Sequence, residues 1–268
     1  MDWDDFAQPW LDAADELEIA HHPVQQALMD AARLAPGEHV LDVGCGTGPG
    51  LLAALRAVGP DGRVAGIDIA PPLLARAAER LYGTVELLHG DAGSYAYPVG
   101  QPFDVILSNF GMMFFDDTAA ALAHLRRTVR PGGRLAATVW GRSDRNPWFA
   151  LPRQCIDRLI PEVPRPDSTG PGPMRFGDPT PFVAALVQTG WRPHVKTLTL
   201  LLTPQGSPEA VAALHMKVTA GMMLRGLNMS EVTLAKVEAD IAKASAEHLI
   251  GSKVHVPAEI HVITAVAA

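Results

Sequence analysis

Cysteine, basic runs and long apolar runs are all scarce in this chain, and each scarcity excludes something. The 268 residues hold two cysteines, Cys45 and Cys155. They cannot form a disulfide framework and belong to no C-x-x-C pair, so a reducing, cytoplasmic setting is expected. Lys and Arg number 22 against 29 Asp and Glu, for a net charge of −7. With no Lys/Arg run, nucleic acid is not an expected partner. No apolar run approaches the ~20 residues that span a bilayer. The acidic start, MDWDDF, has neither the basic nor the apolar region of a signal peptide. No H-E-x-x-H or G-x-S-x-G occurs, and no metal site is expected. What is abundant is hydrophobic residue, 48% against 19% charged, the balance of a globular core.

The most informative stretch is VLDVGCGTGPG, residues 40–50. It reads as a buried strand (Val40 to Val43), a glycine turn and a helix starting near Pro49. Gly44, Gly46 and Gly48 alternate where the chain must turn, and a bare backbone there lets a ligand approach closely. The N–H groups of the following helix start are free to meet it. A dinucleotide fingerprint would place its third glycine where Pro49 stands, so an NAD(P)-dependent oxidoreductase is the weaker alternative.

Further strands follow in step. RVAGIDIA ends at Asp68, 24 residues beyond Gly44, where a carboxylate can accept from ribose hydroxyls or cap the helix that Pro71 and Pro72 begin. TVELLHGDA supplies a third strand (Val85 to Leu88) and then Asp91-Ala92, which alone would read as an Asx turn. FDVILSNF (103–110) is a fourth strand ending at Ser108-Asn109-Phe110, and RLAATVW (134–140) a fifth. Open α/β sheets bind ligands at their strand carboxyl ends, where these signals collect.

The G-x-G-x-G loop behind Asp42, R-P-G-G-R-L at 130–135 and F-G-x-M-F-F at 110–115 resemble the class I S-adenosylmethionine (SAM)-dependent methyltransferases, in the branch near the ubiquinone/menaquinone-biosynthesis enzymes. The resemblance implies an α/β, Rossmann-like, doubly wound, seven-stranded, mostly parallel sheet with a helical lid and insert. It implies SAM as cofactor, S-adenosyl-L-homocysteine as product, and a small lipophilic or aromatic acceptor. By it, Asp42, Gly44, Cys45, Gly46, Gly48, Asp68, Ile69, Asp91, Ala92, Ser108 and Asn109 border the cofactor. Trp10 covers it from an N-terminal segment in which Trp3, Phe6 and Trp10 recur at helical spacing. A second helix, carrying Val24, Leu28, Ala31 and Leu34, is expected to end at Pro36-Gly37, with His21 and His22 ahead of it.

Residues 1–140 are read as the cofactor-binding core with its cover, 141–181 as a lid loop, and 182–268 as the rest of the same domain. Asn146-Pro147-Trp148 and Pro171 to Phe176 match lid motifs of the resembling branch. A short helix is expected near Leu151–Ile160. Asp178 is expected to cap a helix, 194–202 to form a sixth strand and 259–267 the last, with an insert of two helices at 207–250. Phe110, Met113, Phe114, Trp148 and Phe176 are the expected acceptor pocket. His21, His22, His215 and Asp116 are candidate bases, between which the sequence does not choose. A homodimer stays open, as does a chain that keeps the SAM fold for binding or cyclisation without methylation.

Overall fold

The computed structural model describes residues 3–165 and 169–268, with side chains from residue 6 onward. Trp3's side chain and Pro166 within the lid therefore lie outside the described residues. Two helices come first, α1 (Trp3–Asp12) and α2 (Ala14–Ala32). The core then alternates: β1 (His39–Val43), α3 (Pro49–Val58), β2 (Arg63–Asp68), α4 (Pro71–Leu81), β3 (Glu86–His89), β4 (Phe103–Asn109), α5 (Thr118–Thr128) and β5 (Val129–Trp140). Beyond it lie α6 (Pro147–Leu159), α7 (Thr180–Gln188), β6 (Trp191–Leu202), α8 (Pro208–Lys217), α9 (Thr219–Leu224) and α10 (Glu231–Ala246). A hairpin, β7 (Leu249–Ile250) and β8 (Lys253–Val254), precedes β9 (Val256–Ala267).

The seven-stranded sheet runs β3-β2-β1-β4-β5-β9-β6. The strands from β3 to β5 pair in parallel, and β9 is antiparallel to both of its neighbours. The order reverses between β1 and β4, which opens a crevice at their carboxyl ends. Helices cover both faces, so β1 and β4 are buried almost throughout, as parallel strands require. Close packing is visible at Gly66: a Cβ there would lie 2.7 Å from Leu51 and 2.8 Å from Cys45 Sγ. Only glycine lets the glycine loop and α3 settle on β2.

Several expected boundaries change. α2 starts at Ala14 and runs unbroken through Pro23, so His21 and His22 lie within a helix and not ahead of it. β5 extends back to Val129 across an irregular register. α6 begins at Pro147, ahead of the expected Leu151, because Pro147 sits at a first-turn position that needs no N–H. Asp178 is not the cap of α7. Pro179 holds that place, and Asp178 accepts from Thr180 N at 3.0 Å. The insert holds three helices and a hairpin, because the chain breaks at Val218 (φ −111, ψ −84). Helices α6, α8, α9 and α10 share a small core of their own that includes Ile156, Ile160, Ala212, Leu224, Val237 and Ile241. None of the described helices is long and apolar enough to cross a membrane.

Candidate active site

A cavity of about 630 Å³ opens at the carboxyl ends of β1, β2 and β4, under α1 and α2. Its walls divide by chemistry. One part carries Asp42, the glycine loop, Asp68, Ile69, Asp91 and Ala92. The other carries Phe110, Met113, Phe114, Trp140, Trp148 and Phe149. Trp10, His21, His22 and Asn109 also line it, with Asp116 at an exposed position.

The loop conformation follows from its glycines. Gly44, Gly46 and Gly48 have φ of +70, +53 and +89, a region that costs a side chain energy. A Cβ on Gly46 would meet nothing within 4 Å, so the loop borders open space there. Gly44 N and Cys45 N both donate to Ile67 O, at 2.9 and 3.2 Å. Gly46 N donates to Asp68 Oδ2 at 2.8 Å, and Ala70 N to Asp68 Oδ1 at 2.9 Å. Asp68 thus ties the loop to β2 through Oδ2, while Oδ1 holds the residue before α4. It does not cap α4, whose cap position is Ala70.

Asp42 is 3% exposed and accepts no hydrogen bond from a described residue. Burial, and secondarily the charge of Asp68, raises its pKa to about 7. Burial likewise raises Asp68, against the hydrogen bonds from Ala70 and Gly46. Asp91 makes the Asx turn, accepting from Gly93 N at 2.8 Å and Ser94 Oγ at 3.3 Å, and still lines the cavity.

In the aromatic part, Phe110 holds φ +62, uncommon for a bulky residue and a mark of imposed strain. It stacks on Trp140 with centroids 4.2 Å apart and planes 5° from parallel. His21 meets the edges of Phe110, Trp140 and Trp148 at 5.8, 5.5 and 5.3 Å. Burial lowers its pKa to about 4. Trp148 is set by Asn146, whose amide donates to Arg142 O and Glu259 O and accepts from Glu259 N.

Four expected site residues do not line the cavity. Gly48 packs on α4, where a Cβ would lie 3.3 Å from Leu81 and 3.4 Å from Ala77. Ser108 is fully buried and donates to Val43 O at 2.8 Å, a tie between β4 and β1. Phe176 turns into the core against Phe182, centroids 4.8 Å apart. His215 lies behind Trp148 at 4.5 Å, its Nδ1 2.7 Å from Thr219 Oγ1, and burial lowers its pKa to about 3. It is therefore no base for a molecule in the cavity.

Other wall residues escaped the sequence reading. Glu18 on α2 accepts from Thr47 Oγ1 at 2.7 Å and from both terminal nitrogens of Arg80, one at 2.8 Å. Arg80 also donates to Thr47 O at 3.1 Å. This bridge fastens α2 over the glycine loop. Glu18, His21, His22 and Gln25 make a polar stripe at helical spacing, a signal legible once α2 is known to begin at Ala14.

A family model described as a methyltransferase domain matches residues 40–133. The nocamycin O-methyltransferase of Saccharothrix syringae is 33% identical over 235 residues, covering 85% of this chain and 72% of that protein. The demethylmenaquinone methyltransferase of Listeria innocua is 29% identical over 148 residues, 54% of each chain. The chain thus spans about half the length of that relative. Among solved structures, the YcgJ protein of Bacillus subtilis superposes with a TM-score of 0.58 at 15% identity, covering 92% of this chain and 99% of that one.

Proposed function

The chain belongs to the S-adenosylmethionine-dependent methyltransferase family, and we propose that its acceptor is a small, lipophilic or aromatic molecule held in the aromatic part of the cavity. The enzyme transfers the methyl group of SAM and releases S-adenosylhomocysteine. One observation carries the acceptor reading: the cavity that passes three acidic strand ends continues without a break into the chamber of Phe110, Trp140, Trp148 and Phe149.

The wall fits the cofactor. Open space before Gly46 forms a cradle that a side chain would fill. Asp42, buried and without a described donor, suits the methionyl amino group, whose charge would favour the ionised carboxylate. Asp68 keeps lone pairs for the ribose hydroxyls after serving Gly46 and Ala70. Asp91 and Ala92 border the adenine, and Trp10 covers the site from α1. When bound, SAM supplies a methyl group already activated on a sulfonium. What the chain adds is position and dryness: α1, α2 and the strand ends hold the donor, the aromatic walls set the acceptor in line, and both exclude water.

Trp148, Phe149 and Pro173, with Val218, Thr219 and Met222 of the insert, close this chamber. With a net charge of −7 and a chamber of this size, neither nucleic acid nor protein is the acceptor. The test is a turnover screen with labelled SAM across small aromatic acids, phenols and quinols, RNA and cell protein. Label moving into small molecules alone supports the proposal. Label moving only into RNA or protein contradicts it.

A further inference from the structure

Gly50, the second residue of α3, is buried, and its backbone gives no reason for a glycine. It is not among the residues with positive φ, so any residue could adopt its conformation, and alanine would favour the helix. What remains is space. A Cβ on Gly50 would lie 2.3 Å from Oδ2 of Asp42, 3.2 Å from its Cγ and 3.6 Å from its Oδ1. These three nearest neighbours all belong to one carboxylate. Gly50 and Asp42 both line the cavity.

The contact differs from those of the other glycines around the site. On Gly44 a Cβ would press on the backbone of Gly111, and on Gly66 it would press on Leu51 and Cys45, so substitution there disturbs the packing of the loop. At Gly50 it meets only the end of a polar side chain. That carboxylate accepts no hydrogen bond from a described residue, and its oxygens are not among the side-chain atoms sealed in without a partner. Shape alone keeps it where it is. Side chains rest in staggered wells, so a methyl group on residue 50 would turn the carboxylate out of its place. A charge-assisted hydrogen bond is short and directional, and a displaced carboxylate forfeits it.

We infer that Gly50 is a positioning residue for the methyl donor: the space it leaves keeps the Asp42 carboxylate turned to the donor's ammonium group. The inference rests on the assignment of that group to Asp42 above, and adds how an untethered carboxylate is aimed. Its consequence is a discrimination. Gly50 matters for ligands that carry the ammonium and is indifferent to those that lack it.

The test titrates the full chain with two probes that share an adenosine thioether. S-adenosylhomocysteine has the ammonium, and methylthioadenosine lacks the whole amino-acid end. Gly50→Ala is expected to bind S-adenosylhomocysteine at least about tenfold more weakly, the worth of a hydrogen bond to a charged group, and methylthioadenosine within about twofold of wild type. Its Tm should stay within a few degrees of wild type, because only a side-chain end gives way and alanine favours the helix. In the Asp42→Ala chain the same substitution should change neither affinity, since the methyl group then has room. A parallel loss for methylthioadenosine, or a chain that no longer folds, would show a general structural role and overturn the inference. So would an unchanged S-adenosylhomocysteine affinity, or a further loss on top of Asp42→Ala. If Asp42→Ala itself leaves S-adenosylhomocysteine binding intact, the ammonium assignment falls, and the inference with it.

Discussion

Gly44 and Gly111 touch across the rim of the sheet: a Cβ on Gly44 would lie 3.0 Å from the Cα of Gly111. The contact presses the loop after β1 against the loop after β4, joining the cofactor part of the cavity to the acceptor part. A Cβ on Gly111 would lie 2.6 Å from Val43 O and 2.8 Å from Ser108 Oγ. Gly111→Ala must therefore push backbone apart, at a cost of about 1–3 kcal/mol. Denaturant melts should show that loss and calorimetry a weaker S-adenosylhomocysteine complex. Wild-type values in both would mean that the rim contact is idle.

Asp68→Ala removes the bond from Gly46 that holds the loop, the bond from Ala70 and the proposed ribose contact. Hydrogen bonds to a charged group are worth roughly 1.5–3 kcal/mol, or about 10- to 150-fold in Kd. SAM affinity should fall by that factor while circular dichroism stays native. Unchanged affinity would remove the ribose assignment.

Glu18→Gln should loosen the cover without unfolding the sheet. The Glu18–Arg80 pair is about one-fifth exposed on each side, so its worth is discounted to about 1 kcal/mol. Hydrogen exchange should rise in α1 and α2 alone, and SAM should dissociate several-fold faster. Exchange unaltered in both helices would show that other contacts hold them.

The pH dependence follows from three buried groups. Asp42 is raised to about 7, so the folded chain keeps a proton that the unfolded chain releases. The stability this group contributes is full below about pH 4 and lost as pH rises to about 7. His21 and His215 are lowered to about 4 and about 3. Their contribution is full above about pH 6.5 and lost as pH falls. In urea melts, wild type minus Asp42→Asn should therefore decline between about pH 5 and 7, by at most about 1.4 kcal/mol per pH unit. A flat difference contradicts a raised Asp42.

The strand ends were legible because each carries its own local signal. A glycine turn follows β1, Asp68 closes β2 and Asp91 follows β3, and all three meet at one crevice once the sheet is assembled. Ser108 shares its strand end with Asn109 yet turns away, because alternate residues of a strand face opposite sides, and Gly48 lies against Leu81 and Ala77 of α4. Phe176, an expected pocket residue, and His215, a candidate base, are instead used in the core, Phe176 against Phe182 and His215 beside Thr219. Glu18, Arg80 and Gln25 were hidden for the opposite reason. Their partners lie 62 residues away for Arg80 and 84 for Asn109, and only the tertiary fold pairs them. Placing His21 and His22 ahead of the second helix concealed the stripe that Glu18, His21 and Gln25 form.

The measurement that tests the site most directly is a crystal structure with S-adenosylhomocysteine bound. It should show the ribose hydroxyls on Asp68, the amino group on Asp42, and the sulfur turned toward the stacked pair of Phe110 and Trp140. A ribose away from Asp68, or a sulfur facing solvent instead of that pair, would contradict the account.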